Sequence, residues 1–348
     1  MGELGVATSP DANSQHWNAA KYAFIKDQVG VSFSYIPWLR GLVNDVNITY
    51  LSGFYKLSER QAVAASLRYF SLGEMSIINK EGVEESKASP YEMAFDLSWT
   101  RQFGENFSFS LTGRYIRSDL TGGVVSASDN GNYYDAMRAA NAWGFDIGAY
   151  YQKGAAREGE YAWGLCLSNL GSKITYKEED GNKYFLPMNM RIGGRYSFPV
   201  DDYNDLSFSL EFNKLLVPTP PVRDEDDNVI LGMDDDVTKI SVPIAILQSF
   251  YDAPYGFKEE ISEITMGIGA EYSYYKTFFG RTGFFYDSKR KGNRRYLTFG
   301  AGLRYGFIAL DLAYYASFTN NDPMANTLKF TLGLYFGGNT SSARMYNY

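Results

Sequence analysis

The side chains best suited to nucleophilic or acid–base chemistry are scarce in this 348-residue chain, which has one histidine and one cysteine. Asp11 and Ser14 lie close to His16, so a Ser–His–Asp hydrolase site could be written for this segment. A catalytic triad is defined by geometry, however, and proximity in sequence does not establish one. Cys166 falls in an alternating apolar segment, which is typical of an inert wall residue. The sequence therefore predicts no enzyme.

The same two counts limit metal and cofactor chemistry. A single cysteine excludes a disulfide framework, and one cysteine with one histidine excludes a Cys/His metal cluster. We therefore expect no cofactor. The chain has 33 Lys and Arg against 40 Asp and Glu, a formal charge of −7. Nucleic-acid-binding proteins carry a basic excess, so we expect no nucleic-acid partner.

Aromatic residues make up 17% of the chain, with 29 Tyr, 24 Phe and 5 Trp, and there are 34 Gly. The longest clean apolar run is about six residues, 242–247, whereas a transmembrane helix needs roughly 18. Aromatic and glycine enrichment without apolar runs is typical of a transmembrane β-barrel. Residues 1–3 lack the features of a signal peptide, so we expect that any leader has been removed.

Apolar and polar residues alternate over segments of about ten residues, which predicts β-strands with one apolar face. In residues 91–99 the apolar positions are Met93, Phe95, Leu97 and Trp99. The pattern predicts fourteen strands, at 29–37, 45–57, 61–72, 90–101, 106–117, 142–152, 161–171, 187–198, 205–215, 263–274, 277–287, 295–305, 307–318 and 327–337.

The connections between these strands alternate in length. Those at 102–105, 199–204 and 275–276 are short, whereas those at 118–141 and 216–262 are long. Outer-membrane barrels have an even number of strands, short periplasmic turns and long outer loops. The sequence thus predicts an all-β fold, a fourteen-stranded antiparallel transmembrane barrel with long extracellular loops and both termini in the periplasm.

A barrel of this size encloses a space that its own wall side chains do not fill. We expect residues 1–28 to form an N-terminal plug and residues 29–348 the barrel. Ser14 is the expected N-cap of a short helix running to Ala20. The plug residues singled out are Asp11, Ser14, His16, Trp17 and Asn18.

The strand face expected to line the interior carries charges of both signs. These residues are Arg68, Glu92, Asp96, Arg114, Asp146, Arg191, Arg195, Glu211, Glu271, Arg304 and Asp311. Two interpretations are open, an ion-pair network that packs the interior and anchors the plug, or an ion-selective pore. Mixed signs favour the network, because selective pores show rings of one sign.

The loop at 216–262 is the most unusual segment, with ten Asp and Glu against three Lys and Arg. The acids include Asp234, Asp235 and Asp236, and a calcium site competes with a solvated acidic loop as their explanation. The apolar residues of its second half are Ile244, Ile246, Leu247, Phe250, Tyr251, Tyr255 and Phe257. Together with the three aspartates they predict a partner-binding surface; the alternative is a loop folded over its own barrel.

A shorter outer loop carries a cluster of basic residues. These are Lys289, Arg290, Lys291, Arg294 and Arg295. Contact with lipopolysaccharide phosphates in the outer-membrane lipid is one interpretation, and docking of an acidic partner is the other.

Several sequence blocks resemble the PorV family, outer-membrane proteins of the type IX secretion system of Bacteroidetes. They are GELGVATSPDANSQHWN at 2–18, PWLR at 37–40, SLRYFSLGE at 66–74, RYIRSDL at 114–120 and SNLG at 168–171. The resemblance implies a FadL-type barrel of fourteen strands with an N-terminal plug, which agrees with the strand count made without it.

The resemblance also implies a non-enzymatic role in protein secretion. Such proteins bind the C-terminal signal domain of cargo leaving the SprA (Sov) translocon. They pass the cargo to an attachment complex containing the sortase PorU. A FadL-like transporter of hydrophobic small molecules is the competing function, and the charged interior argues against it.

Overall fold

The structure is a computed structural model. It describes residues 1–39, 43, 45–78, 82, 84–122, 138–155, 158–176, 183–225, 228–233, 239–318 and 325–337.

Fourteen antiparallel strands close into one barrel, which confirms the predicted fold class. The strands of the described residues are β1 (Val29–Pro37), β2 (Asn47–Ser58), β3 (Gln61–Ser71), β4 (Met75–Ile78), β5 (Glu84–Ala88), β6 (Tyr91–Phe103), β7 (Phe107–Asp119), β8 (Ala140–Ala155), β9 (Gly159–Gly171), β10 (Asn189–Pro199), β11 (Asn204–Leu215), β12 (Val222–Arg223), β13 (Val229–Leu231), β14 (Thr265–Tyr274), β15 (Phe278–Tyr286), β16 (Arg295–Tyr305), β17 (Ile308–Ser317) and β18 (Leu328–Phe336). The pairs β4–β5 and β12–β13 are separate hairpins, and β18 pairs with β1 to close the barrel.

Alternation along each strand separates the two faces of the wall. On β6, Phe95 and Leu97 are 47% and 59% exposed on the outer surface, while Asp96 and Ser98 are buried inside. A lipid bilayer accepts such an apolar outer face, and closure of the barrel satisfies every strand edge. None of the helices in the described part of the chain has the length and apolar character needed to cross a membrane.

The connections divide between the two ends of the barrel. Residues 59–60, 104–106, 200–203 and 306–307 are short turns at the end where the chain enters β1 and leaves β18. The connections at the other end are longer, and the longest spans 216–264. This loop contains the helices α2 and α3, described below.

Short helices shape the segment that precedes β1. The helix α1 (Ser14–Trp17) is followed by a 3-10 helix (Ala19–Phe24). The predicted N-cap role of Ser14 is wrong, because Asn13 occupies that position and Ser14 is the first helical residue. The predicted continuation to Ala20 is also wrong, because Asn18 adopts an extended conformation and its side chain caps the 3-10 helix.

The N-terminal segment lies inside the barrel and forms much of its core. Tyr22 is fully buried and stacks on Phe54 of β2, with 5.1 Å between ring centroids. Burying an aromatic side chain of this kind contributes roughly 1.5–3 kcal/mol. Glycines in the wall make room for the segment, since a Cβ on Gly164 would lie 2.1 Å from the carbonyl oxygen of Val6.

Candidate functional site

Two parts of the molecule are candidates for function, the barrel interior and the long loop at 216–264. In the interior, the wall holds the backbone of the N-terminal segment. The Glu211 carboxylate accepts hydrogen bonds from the backbone N–H groups of Gly5 and Val6, at 2.8 and 2.9 Å. The Thr100 hydroxyl donates to the carbonyl oxygen of Ala19 at 2.9 Å. Such bonds satisfy backbone groups that water does not reach.

Two polar side chains of the segment cross-link it internally. Lys21 is fully buried, and its Nζ donates to the Gly5 carbonyl at 2.8 Å and to the Thr8 hydroxyl at 3.0 Å. The Asn18 amide donates to the carbonyl oxygens of Val6 and Ala149, at 3.1 and 2.9 Å. Asn18, one of the residues singled out in the sequence, therefore joins the segment to strand β8.

Ion pairs line the interior at the level of this segment. Arg114 binds Asp96 at 2.7 Å and Asp146 at 2.9 Å, and Arg191 binds Glu211 at 3.1 Å. The remaining pairs are Arg195–Glu160, Arg281–Glu271 and Arg281–Asp311. The expected ion-pair network is confirmed in these residues. Glu160 and Arg281 also belong to it, although they were not predicted from the sequence. Their side chains face the same interior as the residues that they bind.

No catalytic triad is formed by the three residues that suggested one. Ser14 donates to Asp11 at 3.2 Å, but the Nδ1 atom of His16 accepts a hydrogen bond from Arg68 instead. Trp17 stacks edge-on against His16 and lies under the Arg191 guanidinium, 5.0 Å from the ring centroid. Cys166 is buried against residues of the N-terminal segment, in keeping with the predicted wall position.

The long outer loop packs one face of its first helix on the barrel rim. The helix α2 (Val242–Gln248) buries Ala245 completely against Met188 and Leu216. Ile246 is half-buried in the same cluster. The alternative that the loop folds over its own barrel is therefore correct for this face of α2.

A set of hydrogen bonds and ion pairs fixes the end of the loop. Glu263 follows the helix α3 (Phe257–Ser262) and binds Lys214 of β11 at 2.7 Å and Lys291 at 2.9 Å. Glu260 also binds Lys214, at 3.1 Å. The Asp252 carboxylate accepts from the backbone N–H of Thr219 at 2.9 Å. The loop is thus held in one position on the barrel.

The other apolar side chains of the loop remain exposed. Leu247 is 66% exposed and Phe257 is 78% exposed. The further exposed residues of the predicted partner surface are Ile244, Phe250, Tyr251 and Tyr255. Phe250, Phe257 and Ile261 line a groove of about 340 Å³ with Ile192 and Phe212 of the outer wall. Of the seven apolar residues predicted to form the partner surface, Ile246 is therefore packed on the barrel and the other six are exposed.

The acidic part of the predicted surface cannot be placed in the same way. Asp234, Asp235 and Asp236 lie outside the described residues. Among the residues that are described, no group of three or more His, Cys, Asp or Glu side chains is arranged to hold a metal ion.

The basic outer loop is partly neutralised by the chain itself. Lys291 binds Glu259 at 2.7 Å as well as Glu263. Arg294 binds Asp287 at 3.4 Å, and Arg295 lies over the ring of Tyr286. Lys289 and Arg290 are exposed, so these two retain the charge that either predicted partner would require.

Comparisons with known proteins agree with this architecture. The model of the family described as type IX secretion system protein PorV matches residues 1–222. No curated protein sequence matches the chain.

Solved structures share the fold at low identity. The Ralstonia pickettii toluene transporter TbuX aligns with a TM-score of 0.50 and 11% identity, over 97% of both chains. The Pseudomonas putida toluene transporter TodX aligns with a TM-score of 0.50 and 10% identity, over 96% of this chain and 94% of that one. The monoaromatic hydrocarbon channel CymD gives 0.50 and 12%, over 97% and 96%. At such identities these similarities establish the FadL-like barrel fold alone.

Proposed function

Because the chain belongs to the PorV family of type IX secretion system proteins, we propose that it receives secreted cargo at the outer membrane and hands it on. The proposed partners are the C-terminal signal domain of the cargo, the SprA (Sov) translocon that releases it, and the attachment complex containing PorU. Membership makes the chain an outer-membrane component of this system; the transfer of cargo is the proposal.

The observation that carries the proposal is the exposed apolar surface of a loop that is fixed in place. Leu247, Tyr251 and Phe257 are exposed although α2 and the Glu263 ion pairs hold the loop against the barrel. A preorganised surface loses little conformational entropy on binding, and aromatic anchors contribute most to protein interfaces. The long loops would then face the cell exterior, with both termini in the periplasm.

We also propose that the chain does not itself catalyse the attachment step. The imidazole of His16 is engaged by Arg68, and the thiol of Cys166 is buried beside the N-terminal segment. Neither group is placed to act as a nucleophile on a protein held at the outer loop. The chemistry would belong to another subunit of the attachment complex.

Transport of hydrophobic small molecules is the second candidate, favoured by the fold shared with toluene transporters. The interior of this barrel is occupied by the N-terminal segment and lined by ion pairs. Binding of an apolar solute to such a lining is unfavourable, because the charged side chains would lose their ion-pair partners or their hydrating water. The exposed loop therefore supports protein binding better than the interior supports hydrocarbon transport.

Paired substitutions on the two faces of α2 test the proposal. Leu247→Ser with Tyr251→Ser removes exposed apolar groups, and we expect lost capture of a purified cargo signal domain with unchanged heat-modifiability on gels. Ile246→Ser removes a packed group and should destabilise the loop by about 1–3 kcal/mol. Tyr184→Ser is the control, since Tyr184 is also an exposed aromatic residue, 54% against 62% for Tyr251, on a different outer loop.

Two outcomes would contradict the proposal. One is normal cargo capture by the Leu247→Ser, Tyr251→Ser variant. The other is an equal loss of capture in the Tyr184→Ser control. Toluene uptake into vesicles containing the intact protein, with cargo capture unaffected by the loop variants, would favour the transporter.

A further inference from the structure

A charged residue stands in the row of side chains that faces lipid on strand β11. Phe208 and Phe212 of this row are exposed on the outward side of the wall, whereas Glu211 between them is buried on the inward side. Lys214 occupies the next outward position after Phe212. A lysine on the lipid face of a barrel is costly wherever it lies within the apolar band, so this position needs a cover.

The long outer loop supplies that cover. Lys214 is buried, and its Nζ binds the carboxylates of Glu260 at 3.1 Å and Glu263 at 2.7 Å. The same Nζ lies 5.8 Å from the centroid of the Phe250 ring. Because Lys214 points away from the interior, these contacts place the end of the loop on the outward side of the wall. The loop thus neutralises and shields the charge there.

Helix α3 leaves a groove between itself and that wall. Phe257 and Ile261 are four residues apart on one face of the helix. With Phe250 they form the loop side of the groove of about 340 Å³, and Ile192 and Phe212 form its wall side. The structure leaves all five of these apolar side chains exposed, so α3 is anchored by its glutamates without filling the space beside it.

The groove is continuous with the surface that the barrel presents to lipid. Ile192 and Phe212 belong to outward rows of β10 and β11, and such rows contact acyl chains in a bilayer. The volume of about 340 Å³ is near the lower end of the range for small-ligand pockets, roughly 300–1,000 Å³, which suits one narrow apolar group. The charged residues in the lining, Lys214 and Glu260, bind each other, so the occupant needs no charge.

We propose that this groove binds one acyl chain of a membrane lipid, held between α3 and strands β10 and β11. The chain would cover Phe257 and Ile261 and complete the packing of α3 on the wall. This site goes beyond the proposed transfer of cargo, because Leu247 and Tyr251, on which that proposal is tested, do not line the groove.

Native mass spectrometry of the purified protein tests for a retained lipid. The intact protein is delipidated in detergent and mixed with dioleoylphosphatidylcholine, whose headgroup has no net charge. Glycerophosphocholine, which has the same headgroup and no acyl chain, is the reference. We expect a single phosphatidylcholine to stay bound, and no adduct with glycerophosphocholine.

Substitutions on the two sides of the groove locate the binding. Ile192→Trp fills the groove from the wall, and Ile261→Asn removes an apolar group from α3. Each should weaken lipid binding by roughly tenfold or more, because the chain loses apolar burial. Ile268→Trp is the matched control on the wall, since Ile268 of β14 is 46% exposed and Ile192 is 48% exposed. Ile230→Asn is the control in the loop, at 58% against 53% for Ile261.

A photoactivatable label on the acyl chain identifies the occupant in a bilayer. The protein is placed in phosphatidylcholine vesicles that contain a trace of phosphatidylcholine with a diazirine in its chain. After irradiation, the labelled peptides are mapped by mass spectrometry. We expect adducts within residues 257–264 of the unsubstituted protein and of Ile268→Trp, and their loss in Ile192→Trp. Peptides of the wall strands should be labelled in every variant, because they contact bulk lipid.

The proposal fails if both groove variants retain the lipid, if Ile268→Trp loses it to the same extent, or if the adducts are confined to the wall strands. Loss of cargo capture in Ile192→Trp and Ile261→Asn, with lipid binding unchanged, would assign the groove to a protein instead. The variant with Leu247→Ser and Tyr251→Ser should retain the lipid, so the cargo proposal and this one are judged on different variants. Heat-modifiability on gels establishes folding in each preparation.

Discussion

Glu263 is the residue on which the attachment of the outer loop converges. It binds Lys214 of the barrel, Lys291 of the neighbouring loop and the Thr219 hydroxyl. Burial alone would raise the pKa of Glu263, but the hydrogen bonds from these partners outweigh it and lower that pKa. The pKa of Glu259 is lowered in the same way, because the hydrogen bond from Lys291 outweighs burial.

The pKa of Asp252 is shifted in the opposite direction. Burial raises its pKa from 3.8 to about 6, and its Oδ1 atom is buried without a hydrogen-bond partner. A group with a raised pKa contributes stability below its ordinary pKa and loses that contribution as the pH rises through the raised value. Glu259 and Glu263 contribute above their ordinary value of 4.5 and lose their contribution as the pH falls below it.

The directions of these pKa shifts predict that the loop is held most firmly at about pH 5, where both glutamates are ionised and Asp252 is protonated. The measurement is the fluorescence anisotropy of a dye on Leu247→Cys in a Cys166→Ser background. Asp252→Asn should remove the change above that pH, and Lys291→Gln should weaken the change below it. A dye on Lys276→Cys, in a short turn, should show neither. A flat profile at residue 247 would refute this account of the loop.

Strands and helices differ in how far the sequence predicts them. All fourteen wall strands follow from period-two alternation, because each must present one face to lipid and the other to the interior. The hairpin β4–β5 was not predicted. Short strands in an outer loop need no apolar face, so their sequence does not show the alternation that identifies wall strands. The division of α2 between packed Ala245 and exposed Leu247 could not be predicted either, because it depends on which helix face meets Met188 and Leu216.

The placement of the N-terminal segment depends on small residues in the wall. A Cβ on Gly164 would meet the Val6 carbonyl at 2.1 Å, whereas a Cβ on Gly113 would have nothing within 4 Å. Alternation places Gly113 on the outer face, opposite Leu97 and Phe145, and Gly164 on the inner face, but it does not show which inner glycines contact the segment. This is why the interior charges could be predicted from strand alternation, whereas their contacts with the segment could not.

Gly164→Val should therefore displace the N-terminal segment while leaving the barrel folded, since valine suits a strand. Lys21, fully buried in the native protein, would become a trypsin site, detected by mass spectrometry of the released peptide. Gly113→Val, which puts the same side chain on the outer face of a wall strand, is the control and should leave Lys21 protected. Protection of Lys21 in Gly164→Val, or cleavage in Gly113→Val, would contradict the proposed dependence on wall glycines.

At the scale of the whole molecule, the segment and the ion pairs determine whether the barrel conducts. A fourteen-stranded wall encloses more space than its own side chains fill. Here Glu211 holds the backbone at Gly5 and Val6, and Tyr22 packs on Phe54, so the segment occupies that space. The charged layer of Arg114, Asp96 and Asp146 lines what is left and is already internally paired.

We therefore predict that the intact protein shows little steady conductance in planar bilayers, because no wide aqueous path passes the segment. Deleting residues 1–28 should raise the conductance, since it removes the segment but leaves all fourteen strands. Gly164→Val should give an intermediate or fluctuating conductance, and Gly113→Val should match the unsubstituted protein. Heat-modifiability on gels identifies the preparations in which the barrel is folded. Porin-like conductance of the intact protein would refute a closed interior. A folded deletion variant that stays silent would show that the ion-paired wall, and not the N-terminal segment, closes the barrel.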